Sequence, residues 1–183
     1  MNTNCDTAMV HGFPCFQNLT PDEAAQVGQH LRINRLSSGK ALFRQGDHGD
    51  VVYLLLAGRL ELTFEVAGSD PRKLASLGIG AILGDMSFLL SEPRTATATA
   101  ETDAEVAHLD RAAFHAAVER GESWTQKFLL ATAQTLARRL GMANRELSTM
   151  IAAAHGAPDS DSARKLETDL ERLRAKLFSE WSF

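Results

Sequence analysis

A chain of 183 residues, 44% of them hydrophobic and 23% charged, has the apolar content for one packed domain with an appendage, which sets general disorder aside. A net charge of −4 and a pI near 5.9 argue against a nonspecific grip on nucleic acid, because that grip needs clustered Lys and Arg to release phosphate counterions. Cys5 and Cys15, with His11 nearby, offer too few ligands for a closed zinc site, and idle thiols are the simpler reading.

The stretch Met1 to Val10 has neither a basic start nor an apolar run, so no secretory leader is expected. No segment reaches the roughly 20 apolar residues of a membrane helix, and a cytoplasmic location follows as the expectation. Thr20-Pro21-Asp22-Glu23 reads as a helix start: Thr20 caps, Pro21 sits in the first turn, and Glu23 completes a capping box, with the helix running to about Leu31.

From Arg32 to Leu109 short extended runs are separated by glycines, the pattern of a sandwich or barrel. Val51 to Leu56 is nearly all apolar, as expected of a strand covered on both faces. Between Arg59 and Val66, Leu60, Leu62, Phe64 and Val66 alternate with polar residues, and Gly68-Ser69-Asp70-Pro71 supplies the next turn. Arg94, Ala96, Ala98 and Ala100 share one face of a further run, opposite Thr95, Thr97 and Thr99. Small alanines there either fit a tight barrel taper or leave room for a ligand beside Arg94.

Helical periodicity takes over from Ser123. Leu129, Ala133, Leu136, Leu140, Ala143, Leu147, Met150 and Ala154 recur at steps of four and three, forming one stripe of a long helix. Such a stripe either packs on its own barrel or forms a parallel dimer seam; its length exceeds what one small barrel covers, so a homodimer seam over Leu129–Ala154 is expected. Gly156 to Ser162 reads as a linker, followed by a short amphipathic helix with Leu166, Leu170, Leu173 and Leu177 on one side. Trp181 and Phe183 are apolar enough to dock on a partner.

The most telling segment runs from Gly84 to Ala96. A glycine before a brief apolar helix leaves the first backbone N–H groups free for an anion, and Arg94 adds a planar fork for phosphate oxygens. Asp85, an acceptor when ionised, can take hydrogen bonds from a sugar hydroxyl. Together these groups suit a small phosphorylated sugar.

With its flanks this segment resembles the phosphate-binding cassette of the cyclic-nucleotide-binding domain family, which includes protein kinase A regulatory subunits and the catabolite activator protein. The resemblance covers roughly Phe13 to Met150. Upstream it rests on Ser38-Gly39-Lys40, Leu42 to Asp47 and Val52 to Gly58, and downstream on Glu105 to Asp110 with Ala113-Phe114. It implies a mainly β fold with flanking α: a double-stranded β-helix jelly-roll barrel with an N-terminal helix, a long C-terminal helix and a short amphipathic tail helix. The expected division is a barrel domain at 12–122, a long helix at 123–155 that acts as lid or dimer seam, and a linker with tail helix at 156–183.

The resemblance further implies a cyclic nucleotide, cAMP or cGMP, held by Leu83, Gly84, Asp85, Met86, Ser87, Arg94, Thr95 and Ala96. Two positions qualify this. The family's ribose-binding acid is usually Glu, whereas Asp85 is one methylene shorter, and Thr95 leans toward cGMP or mixed specificity. A non-catalytic sensor that signals to an unidentified protein partner is the leading expectation. The alternative is a degenerate barrel that binds no nucleotide, pairs Arg94 internally with Asp85 or Glu92, and serves as a dimeric scaffold. After Ala154 no two-helix pattern with a tight glycine turn appears, so no DNA-reading module is expected. The six histidines show no strand-spaced pair for a cupin-type metal, His108 reads as a half-buried polar filler, and no metal, cofactor or catalytic residue is expected.

Overall fold

The structure, a computed structural model, describes residues 5–65 and 70–155 together with Thr168 and Arg172. Helix α1 (Thr7–His11) is capped by the Asp6 carboxylate, which accepts from Met9 N–H at 2.8 Å. A 3-10 turn (Pro14–Phe16) leads to helix α2 (Pro21–His30). The expected capping box is formed: Thr20 N–H donates to Glu23 Oε2 at 2.7 Å, and Glu23 N–H donates to Thr20 Oγ1 at 3.3 Å.

The strands are β1 (Arg32–Leu36), β2 (Ala41–Phe43), β3 (Val51–Ala57), β4 (Leu60–Phe64), β5 (Arg72–Leu77), β6 (Ile82–Leu83), β7 (Thr97–Ala100) and β8 (Ala104–Asp110). They form two four-stranded antiparallel sheets, ordered β1-β8-β3-β6 and β2-β7-β4-β5. This is the jelly-roll β-sandwich expected from the sequence. Helix α3 (Asp85–Leu90) falls between β6 and β7, and helices α4 (Arg111–Glu119) and α5 (Trp124–His155) follow β8.

Strand β3 shows why the apolar run Val51 to Leu56 is needed. Val52 and Leu54 face the helices, while Leu55 points between the sheets with Leu60, Leu62, Leu77, Leu83, Ala98 and Val106. A strand buried on both faces cannot alternate in polarity. On the outer side Phe16, Phe88, Phe114, Trp124 and Phe128 form an aromatic cluster with ring centroids 5.5 to 6.3 Å apart. These contacts, each worth about 0.5–1.5 kcal/mol beyond the area buried, anchor the start of α5 against the sandwich.

The alternation of the Arg94 run is as read: Arg94, Ala96, Ala98 and Ala100 are buried, whereas Thr95 is exposed and Thr97 and Thr99 are half-buried. His108 is half-buried, with its Nδ1 3.2 Å from Asn34 Nδ2. Cys5 and Cys15 are free, buried thiols, and burial pushes both up in pKa, Cys5 to about 11.

On α5 the face turned to the sandwich carries Trp124, Phe128, Thr132 and Arg139, all buried. The expected stripe lies elsewhere: Leu129, Ala133 and Leu140 are exposed, and Leu136 and Ala143 are half-buried. The side chains of Leu147, Met150 and Ala154 lie outside the described residues, as do Val66 to Ser69, the linker 156–162, Trp181 and Phe183. Of the expected tail helix only Thr168 and Arg172 are described, both helical and exposed.

Candidate functional site

The site is assembled where α3 meets β7. Gly84 caps α3 in the left-handed region, at φ +77°, a conformation that costs a side-chain-bearing residue but not glycine. Space imposes the same choice, because a Cβ on Gly84 would collide with the Arg94 guanidinium. Phe88 N–H makes the bond to Gly84 O at 2.9 Å, so the amides of Asp85, Met86 and Ser87 precede the first complete helical bond. Ser91 ends α3, also left-handed, at φ +60°.

Arg111, at the start of α4, fastens this segment in place. Its Nη1 donates to Ser91 Oγ at 2.6 Å and lies 3.0 Å from Asp50 Oδ1, while Nη2 donates to Gly49 O and Ser87 O, each at 2.8 Å. Gly49 in turn lies against Ser87 and the Glu92 carbonyl so closely that a Cβ there would clash with both. Ser87 Oγ donates to Pro93 O at 3.1 Å, closing the loop that returns to Arg94. The backbone of Arg94 is held by the loop before β3: its N–H donates to Asp47 O at 2.8 Å, and its carbonyl accepts from Gly46 N–H at 2.9 Å.

The Arg94 side chain is 4% exposed. Its Nη1 donates to Gly84 O at 3.1 Å and its Nη2 to Val51 O at 2.5 Å, and its Cζ lies 4.5 Å from the Phe43 ring centroid and 5.6 Å from that of Tyr53. Its Nε is buried with no hydrogen-bond partner. Burial pulls the guanidinium below the usual arginine range, opposed by Tyr53, Asp47 and Asp50. The internal pairing of Arg94 with Asp85 or Glu92, expected of a degenerate barrel, does not occur: the partners of Arg94 are neutral carbonyls, because the guanidinium lies along the barrel wall while the Asp85 side chain turns toward α5.

Asp85 is 2% exposed. Its Oδ1 accepts from its neighbour Met86 N–H at 3.0 Å, and its Oδ2 accepts from Arg139 Nη1 of α5, also at 3.0 Å. The narrow cavity between these groups is lined by Phe43, Leu62, Gly84, Asp85, Met86, Ser87, Arg94, Thr95 and Ala96, with a free volume of about 10 Å³. Seven of the eight expected site residues thus meet at one cavity. Leu83 does not line it; it is packed in the core between the sheets, since it belongs to β6 and points inward.

Phe43, Arg111 and Arg139 are site residues that local sequence pattern does not mark. Phe43 ends an apolar run and reads as core. Arg111 follows a strand whose end is uncertain from sequence. Arg139 carried a usable signal, for it continues the positions of Trp124, Phe128 and Thr132 on an otherwise uncharged helix face.

Among the described residues no group of His, Cys, Asp and Glu could hold a metal ion, and no helix is long and apolar enough to cross a membrane. The arrangement sets a buried cation, short-helix amides and a carboxylate around one hollow.

Comparison with known proteins gives this arrangement a lineage. The family description "Cyclic nucleotide-binding domain" matches residues 33–120. The chain is 34% identical over 139 residues to the cyclic AMP receptor protein of Thermus thermophilus, covering 76% of this chain and 62% of that protein. It is 32% identical over 99 residues to the cAMP-dependent protein kinase regulatory subunit of Eremothecium gossypii, which covers 54% of this chain but 20% of that protein. Among solved structures, the Thermus thermophilus catabolite activator protein superposes with a TM-score of 0.69 at 33% identity, over 76% of this chain and 64% of that one. The regulatory domain of Toxoplasma gondii PKA, crystallised with cAMP, shares the fold at a TM-score of 0.60 and 24% identity, over 70% of this chain and 48% of that one. Fold and sequence agree: residues 33–120 are a cyclic nucleotide-binding domain, related to those of cAMP receptor proteins and protein kinase A regulatory subunits.

Proposed function

We propose that this chain is a non-catalytic sensor module that binds cAMP or cGMP and signals through α5 to a protein partner. The observation that carries the reading is Arg94, a buried guanidinium with carbonyl partners, an unpartnered Nε and no carboxylate bonded to it among the described residues. A buried cation with no carboxylate bonded to it is costly, and a cyclic phosphate placed between Arg94 and the amides of Asp85 to Ser87 would offset that cost. Asp85 would then face the ribose, and exposed Thr95 would reach a base lying over the phosphate.

The exposed residues Leu129, Ala133 and Leu140 support a homodimer through α5, because they form an apolar strip turned away from the chain's own sandwich. Sedimentation at several concentrations tests this; a species that stays monomeric at tens of micromolar removes the dimer.

A second reading is favoured by the small free volume of the cavity and by the Asp85–Arg139 pair: a barrel of the same fold that binds no nucleotide and serves as a dimeric scaffold. Thermal unfolding with cAMP, cGMP and cyclic dinucleotides separates the two. A ligand bound only by the folded state stabilises it by about 2.7 kcal/mol at a hundred times its Kd, whereas the scaffold shows no shift with any of them.

A further inference from the structure

Strand β2 pairs with β7 out of simple register. Ala41 lies opposite Thr99, but Phe43 lies opposite Ala98, so the shift between them turns Phe43 onto the face that Arg94, Ala96 and Ala98 share. In an unbroken ladder Phe43 would stand opposite Thr97 and face outward. The shift instead buries the phenyl ring in one cluster with Ala96 and Ala98, whose small side chains leave it room, and sets it on the wall of the cavity beside Arg94.

The Arg94 guanidinium lies over this ring, with Cζ 4.5 Å from the centroid. Tyr53 stacks on Phe43 with centroids 5.8 Å apart and planes 25° apart, and its own centroid is 5.6 Å from the same Cζ. In the plane of the guanidinium, Nη1 and Nη2 donate to Gly84 O and Val51 O, and Nε–H has no partner among the described residues. A carboxylate would steady such a buried charge through a fork of in-plane bonds, taking donors that a phosphate needs. An aromatic face attracts the cation across its flat side and takes no N–H.

We propose that Phe43, backed by Tyr53, is a positioning residue of the anion site: its ring steadies the Arg94 cation from the flat side and so keeps in-plane N–H groups free for a phosphate. This rests on the ligand-binding reading given above. Without the ring face the guanidinium exchanges one orientation for several, and affinity falls by the fraction of molecules in which it is correctly aimed.

Phe43→pentafluorophenylalanine keeps a ring of nearly the same shape but removes the negative character of its face, so packing is retained and the attraction for the cation is lost. In calorimetric titrations with cAMP and with cGMP this variant is expected to bind about tenfold more weakly than the parent, while its circular dichroism matches the parent's. Should the parent bind and the fluorinated variant bind as tightly, Phe43 is packing alone, and the proposal is overturned while the sensor reading stands. Should the parent bind neither nucleotide, the sensor reading fails and the proposal fails with it. If the fluorinated variant does not fold, two simpler ones decide. Phe43→Tyr, which retains the face, should bind within about threefold of the parent and Phe43→Leu about tenfold more weakly, and equal affinities of the two overturn the proposal.

Discussion

The junction of α2 with α5 and the cavity beside α3 both remove charged groups from water, but they satisfy them differently. At the junction Glu23 accepts from Lys127 Nζ at 2.5 Å, Ser123 Oγ at 2.6 Å and Thr20 N–H at 2.7 Å. Glu122, beside it, accepts from Trp124 Nε1 at 2.6 Å and Arg120 Nε at 2.7 Å, and lies 3.1 Å from His30 Nε2. Burial opposes ionisation of both carboxylates, yet these donors outweigh it and hold both below the usual range, Glu23 at about 2. At the cavity, Arg94 has carbonyls and aromatic faces but no carboxylate bonded to it among the described residues, and Asp85 accepts from its neighbour Met86 N–H and from Arg139 of another helix. Charge at the junction is settled within the chain and serves stability. Charge at the cavity is less fully matched, which the proposed ligand site needs and a structural joint does not.

Four substitutions probe that contrast. Phe128→Ala opens a hole in the aromatic cluster at the junction and is expected to lower unfolding stability by about 3–5 kcal/mol in urea titrations. Arg94→Leu should give the opposite signature, a loss of about 2–5 kcal/mol in cyclic-nucleotide affinity with a melting temperature equal to or above that of the parent. A drop in stability matching that of Phe128→Ala would make Arg94 a structural residue and erase the contrast. Glu23→Gln should cost about 1–2 kcal/mol at neutral pH through the weakened capping box and the lost Lys127 pair. Because the Glu23 carboxyl is depressed on folding, its contribution is complete above the unfolded carboxylate range and fades as pH falls from about 4.5 toward 2. The deficit of Glu23→Gln should shrink across that window, and a constant deficit from pH 7 to 2 would mean that charge is irrelevant there. Leu140→Gln, on the outer strip of α5, should change monomer stability by no more than about 0.5 kcal/mol yet shift sedimentation toward the monomer.

What could be read from residue order alone was what depends on near neighbours. The Thr20–Glu23 box spans one helical turn, the alternation from Arg94 to Ala100 follows the pleat of a strand, and Gly84 before a short apolar helix marks a cap, so each was legible without coordinates. The glycine spacing and the doubly buried run Val51 to Leu56 likewise pointed to a β-sandwich. Tertiary packing decided the rest. Sequence spacing identified an apolar stripe on α5 but not the side that meets the sandwich, because Trp124, Phe128 and Arg139 compete for it and the aromatic cluster, formed with the distant Phe16, Phe88 and Phe114, wins. Nor could local reading find the partner of Asp85. Arg139 lies fifty-four positions away, and only the closure of α5 over the barrel brings its guanidinium to that carboxylate.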